Sequence, residues 1–250
     1  MNILVHYFKR AFTRLLDLTL VLGIPLGFIA LVPSAGDVVN GYNINLTVTA
    51  LFMILSFQFF GTWLVFHFLF TDIKGDMRFR LKASPHSVNK FVLSAVIVGW
   101  LYSLITGGIV IAVSAVIFDI YWGNIFVFAG IFLLTSVIGS LICLLLFQYV
   151  NKLSKANTIH YVICFAFVIL GNLMLFGLPL GEGLTGHILM YINPVMIGVR
   201  GILSAGFIGE MIPLIGIGGM REALRDVAVL GGIAVLLAIV VGFSGRRQKL

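Results

Sequence analysis

The chain has 250 residues, 60% of them hydrophobic and only 10% charged, with a mean hydropathy of +1.14 and a net charge of +7. A soluble domain of this size carries about a quarter charged residues, so a folded core inside a water-facing shell is excluded and the chain reads as an integral helical membrane protein. Its basic residues flank apolar runs, and orientation in a bilayer accounts for them without nucleic acid.

Residues 2–17 predict an amphipathic helix. Leu4, Phe8, Ala11 and Leu15 recur at helical spacing, while His6, Arg10, Thr13 and Asp17 share the opposite face. Such a helix lies flat at the headgroups with its cations toward lipid phosphate. Lys9, Arg10 and Arg14, an apolar stretch and then "PSAG" also have the parts of a cleaved leader. The long, patterned basic region and Asp17 favour a retained helix.

Six membrane spans are predicted next, at 18–34, 48–70, 91–118, 125–150, 158–178 and 226–243. They are read from apolar runs able to cross a hydrocarbon core about 30 Å thick; the first and last are near the short limit. Gly23 and Gly27 form a small-xxx-small pair in the first span, a spacing that chance alone can supply among 28 glycines. Cys143 and Cys164 fall inside apolar runs, where they read as small buried residues rather than a disulfide or metal pair.

Between the second and third spans, "TDIKGDMRFRLKASPHSVNK" carries seven charges. Read as a helix, Ile73, Met77 and Leu81 make an apolar stripe beside Lys74, Arg78 and Lys82, with Asp72 and Asp76 on the same element. Ser84 then caps a helix whose first position is Pro85. The segment is expected to lie parallel to the membrane. Either lipid headgroups are its only partner, or a soluble protein docks on its stripe.

After the fifth span, Pro179, Gly181, Gly183 and Gly186 break any continuing helix. Asn193 and Pro194 look like a cap followed by proline at the first helical position. The apolar stretch to Ile208 is short and interrupted by Arg200, and the piece from Met211 to Met220 is shorter and rich in glycine. Two half-inserted helices fit these lengths, provided protein or water surrounds them. A seventh full span is the alternative, and it would place "GRRQKL" outside.

With both termini in the cytoplasm, 13 of the 16 basic residues fall inside, leaving Arg200, Arg221 and Arg225 outside. That split satisfies the positive-inside rule. The sequence holds no phosphate loop, no H-E-x-x-H and no cysteines at metal spacing. Its five histidines are scattered; His67, near the inner end of the second span, reads as interfacial or hydrogen-bonded, with a proton relay as the alternative. Asp17, Asp119 and Asp226 sit at predicted span ends, within reach of water. Gln58, Asn172 and His160 are the intramembrane polar groups, and none is a strong cation site. Ion-coupled transporters usually carry a mid-membrane carboxylate, so uphill transport would draw its energy from another subunit.

At the charged loop the sequence resembles the ABC-2 type permeases, membrane subunits of exporters similar to the G-type ABC transporters. The matching residues of "DIKGDMRFRLKASP" are Asp72, Gly75, Leu81, Ser84 and Pro85. The pattern departs at Ile73-Lys74, where a basic-acidic pair is commoner, and at Asp76, where threonine is. "YINPVMIGVRGILSAGF" is similar to the family's Asn-Pro segment and arginine-bearing helix, through Asn193, Pro194 and Arg200. The layout of the whole chain fits as well.

The resemblance implies one transmembrane domain over residues 1–250. This would be an all-α membrane protein with six transmembrane helices, an N-terminal interfacial helix and outer re-entrant half-helices between spans 5 and 6. It implies a second permease copy or sibling, and a cytoplasmic ABC ATPase subunit that holds ATP and Mg. The chain itself would bind no cofactor, catalyse no reaction and sit in a bacterial cytoplasmic membrane. Residues 72–85 would receive the ATPase's movement through Asp72, Ile73, Gly75, Met77, Arg78, Leu81, Ser84 and Pro85. The second and fifth spans would line the path through Gln58, Phe59, Trp63, Phe165 and Asn172, for which ordinary packing or lipid contact is the other reading. Small outer loops and an aromatic-rich interior suit an apolar or amphipathic cargo such as a drug, antimicrobial peptide or lipid. The alternatives are polysaccharide export, an ATPase-independent secondary transporter or channel, and a subunit that only anchors a complex.

Overall fold

A computed structural model gives the architecture and describes residues 3–31, 38–39, 42–75, 88–118, 120, 122–175, 191–207, 211–212 and 216–247. Eight helices account for nearly all of them: α1 (Ile3–Thr13), α2 (Leu15–Leu31), α3 (Ile44–Lys74), α4 (Val88–Phe118), α5 (Ile125–Tyr149), α6 (Leu153–Leu175), α7 (Pro194–Gly206) and α8 (Met220–Arg247). Two antiparallel hairpins of two-residue strands complete the description: β1 (Val38–Val39) with β2 (Tyr42–Asn43), and β3 (Met211–Ile212) with β4 (Gly216–Ile217).

Four stretches are long and apolar enough to cross a membrane: Ile44–Lys74, Asn89–Phe118, Ile125–Tyr149 and Met220–Ser244. The α1–α2 pair, bent by 61°, makes a fifth if taken as one span. By length and composition the crossings among the described residues are therefore four or five, against six expected for the chain; Leu153–Ile169 and Pro194–Gly206 are shorter apolar helices.

Three expectations about elements are corrected. The N-terminal amphipathic helix stops at Thr13, so Leu15 and Asp17 belong to α2. Its buried face, Tyr7 and Ala11, packs against protein, and Phe12 meets Tyr102 of α4 edge-on at 5.0 Å. The stretch from Met211 to Met220 contains the β3–β4 hairpin rather than a half-helix, because its glycines and short apolar pieces cannot sustain one. Ile73 and Lys74 lie in the last turn of α3, not in a separate element after it.

Helix starts follow local chemistry. Asn43, Asn124 and Asn193 each precede a helix and accept hydrogen bonds from its first free N–H groups, at Leu46, at Phe126 and Val127, and at Val195. α3 is the central post and packs on α2, α4, α5, α6 and α7. Small residues let its neighbours approach: a side chain at Gly61 would touch Ser103, and one at Gly139 would touch Phe59.

The core divides along α3. At the distal end, Ile44 to Phe59 pack with the first half of α5, with α7 and with α8. At the proximal end, Trp63 to Ile73 pack with α1, the first half of α4 and the end of α5. A buried polar layer separates the halves. Ser103 and Ser136 hydroxyls meet at 2.5 Å; Gln58 Nε2 donates to the Phe132 carbonyl at 3.0 Å, and Thr135 donates to Gln58 Oε1. Thr62 and Thr106 return their protons to carbonyls one turn back on their own helices. Each of these hydroxyls has a partner, so the layer ties α3, α4 and α5 together.

Candidate functional site

α2, α3 and α6 enclose a cavity of about 550 Å³. Its walls are aromatic and aliphatic: Phe57, Phe60 and Trp63 from α3, Tyr161 and Phe165 from α6, and Ile24 and Phe28 from α2. Phe60 is the hinge of the aromatic wall, within 6.3 Å of the Tyr161 ring and 6.2 Å of the Phe165 ring. The cavity is polar only at its proximal end, where Arg14, Asp17 and His67 line it. This is an apolar trough with a charged mouth, the shape that takes an amphiphile.

The predicted path residues divide. Trp63 and Phe165 both line this cavity. Phe165 is 54% exposed, whereas Trp63 is buried, stacked on His160 at 4.5 Å and donating from Nε1 to Asn157 Oδ1 at 3.1 Å. Gln58 and Phe59 turn into the protein, Gln58 in the polar layer and Phe59 against Phe167 at 5.5 Å. Asn172 lies within α6, and its side chain is outside the described residues. His160 is buried, with Nε2 at 3.2 Å from Cys164 Sγ; both cysteines are free. Gly23 and Gly27 face open space rather than a neighbouring helix of this chain.

At the proximal end, Asp72 receives two hydrogen bonds from Arg10 Nη1, at 2.9 and 3.1 Å. Arg10 and Arg14 both lie over the Phe68 ring, at 4.4 and 4.8 Å. Two residues on, Lys74 Nζ donates to the carbonyls of Val150, at 2.8 Å, and of Phe147, and stands 4.5 Å from the Phe147 ring centre. Ile73 between them is buried. One turn of α3 thus holds α1 on one side and the α5–α6 corner on the other. Gly75 ends the helix; Met77, Arg78, Leu81, Ser84 and Pro85 lie outside the described residues.

The sequence matches no protein-family model and no curated protein.

At the distal end, Asn193 caps α7 with its oxygen and donates from Nδ2 to the Phe167 carbonyl at 3.0 Å, with Pro194 at the first helical position as expected. Arg200 reaches Asp226 on α8 through Nε at 2.7 Å and Nη2 at 2.5 Å, and stacks on Tyr191 at 4.5 Å. Asp226 has no exposed surface, which corrects its expected contact with water: α8 begins at Met220, so Asp226 lies in its second turn, beneath α7. Half-exposed Arg225 adds a longer contact at 3.5 Å. Among the described residues no group of three His, Cys, Asp or Glu side chains could hold a metal ion.

Asp17, Arg14 and Asp226 are the residues that sequence reasoning undervalued. The usable signal for Asp226 was "MREALRD", a stretch of good helix formers that continues the last span backward past its first charge.

Proposed function

We propose that the chain is the permease subunit of an ATP-driven exporter of apolar or amphipathic cargo in a bacterial cytoplasmic membrane. α6 serves as a further crossing and α7 as the re-entrant half-helix, with both termini in the cytoplasm. A second permease completes the path, and a separate ATPase subunit holds ATP and Mg. The observation that carries this reading is the proximal junction. The helix that supplies half of the cavity's aromatic wall ends in a turn whose Asp72 and Lys74 grip α1 and the α5–α6 corner. The charged segment 76–90 follows directly. A push delivered there moves three elements together and reaches Trp63 and Phe60 along a rigid helix.

Ion-driven transport is the reading from another class, and buried Asp226 bears on it. Its carboxylate is held in a bidentate pair by Arg200, so Asp226 is not free to bind and release a driving cation. Vesicles containing the chain and its co-purifying ATPase should accumulate an amphipathic dye on ATP addition and ignore ionophores. Accumulation by the chain alone, abolished by an ionophore, overturns the proposal. Met77→Glu and Leu81→Glu should leave the permease inserted but strip the ATPase from it on purification.

A further inference from the structure

The mouth of the cavity has a specific electrostatic defect. Among the described residues nothing donates a hydrogen bond to Asp17 Oδ2, which is buried; its ion-pair partner, Arg14 Nη1, stands 3.5 Å away. A carboxylate oxygen without a hydrogen-bond donor is costly, and the Asp17 side chain, 22% exposed, is open to an N–H from outside the chain. The Arg14 side chain is half exposed at the same mouth, able to present its guanidinium fork to an anion.

Below the mouth, the wall is continuous. Eleven residues separate Asp17 from Phe28 on α2 and fourteen separate Met53 from His67 on α3, which at 1.5 Å per residue gives a trough of roughly 16–21 Å. That length suits one extended alkyl chain.

From this juxtaposition we propose that the cavity binds a single-chain zwitterionic amphiphile whose head carries a primary ammonium and a phosphate. The ammonium donates to the Asp17 carboxylate, the phosphate faces Arg14, and the tail runs along Phe60, Phe57 and Phe28. A purely anionic head leaves the Asp17 oxygen without its donor and sets negative charge beside it. A purely cationic head is repelled by Arg14. A quaternary ammonium has no N–H to give. The inference deepens the exporter reading only in taking this ligand as cargo; the binding site stands without it.

The test uses the purified full chain in non-ionic detergent, with no ATPase. It is titrated with lysophosphatidylethanolamine, lysophosphatidylcholine and lysophosphatidylglycerol of equal chain length and read by native mass spectrometry. The ethanolamine lipid should bind about tenfold tighter than the other two. Asp17→Asn should erase that preference, and Arg14→Gln should weaken all three lipids, which share the phosphate. Equal binding of all three by the unmodified chain overturns the proposal, as does an unchanged preference in Asp17→Asn, or a second copy of the chain that occupies the trough and excludes all three. Preference without ATP-driven transport retains the site and removes the exporter reading; transport without preference does the reverse.

Discussion

Arg200 and Asp226, on two helices at the distal end, meet in a two-point ion pair whose carboxylate is wholly buried. Removing one partner strands the other charge, whereas removing both strands nothing. Asp226→Ala is expected to cost about 3–5 kcal/mol, seen as a large drop in the thermal midpoint in detergent. The double change Arg200→Met with Asp226→Leu should be more stable than either single change. A double variant no better than Asp226→Ala would show that the pair is not what anchors α7 to α8.

The proximal pair is partly exposed, at 29% for Arg10 and 13% for Asp72, so its contribution is smaller. Asp72→Ala should cost about 1 kcal/mol and raise hydrogen exchange in α1 while leaving α5 protected. Reversal of both charges, Arg10→Asp with Asp72→Arg, should recover part of that protection. Exchange in α1 that ignores Asp72→Ala would assign its anchoring to Tyr7, Ala11 and Phe12 instead.

Gln58 and Phe165 were both expected on a transport path, yet their surroundings differ. Gln58→Leu removes the bond to the Phe132 carbonyl and the one received from Thr135, at about 1 kcal/mol for hydrogen bonds between membrane helices. It should lower thermal stability more than dye accumulation. Phe165→Ala, on the cavity wall and half exposed, should lower accumulation and leave the thermal midpoint nearly unchanged. The opposite pattern would move the path from the cavity to the polar layer.

Gly123 turns the chain into α5 at φ +68°, and a side chain there would lie 3.0 Å from the Gly206 Cα at the end of α7. Gly123→Ala should cost at least about 1–2 kcal/mol from the left-handed backbone alone, and more from the contact with α7. Gly231→Ala, in α8 with nothing within 4 Å, should instead stabilise by about 0.5–1 kcal/mol. Thermal unfolding of the two variants side by side checks both signs.

The helices were readable because long apolar runs in this composition have no competing use, and the Asn193-Pro194 start of α7 because cap and proline are local signals. The ends were misjudged where a polar residue looked like a boundary. α3 was stopped before Thr71, but Asp72 and Lys74 continue the helix because partners on α1 and at the end of α5 receive them. Asp226 was placed in water because its neutralising arginine stands 26 residues away in the sequence. The cavity's charged mouth was hidden for the same reason. Asp17 and His67 become neighbours of one space only when α2 lies against α3, and no spacing rule carries that information.

α8 follows α7 in the chain and brings its counter-charge. Until it arrives, the nascent chain holds Arg200 on Tyr191 without its carboxylate partner, a costly arrangement at an apolar surface. Docking of α8 therefore completes the distal end electrostatically as well as sterically. A ribosome stalled before residue 226 should leave an immature protein recognisable to membrane quality control by the unpaired Arg200.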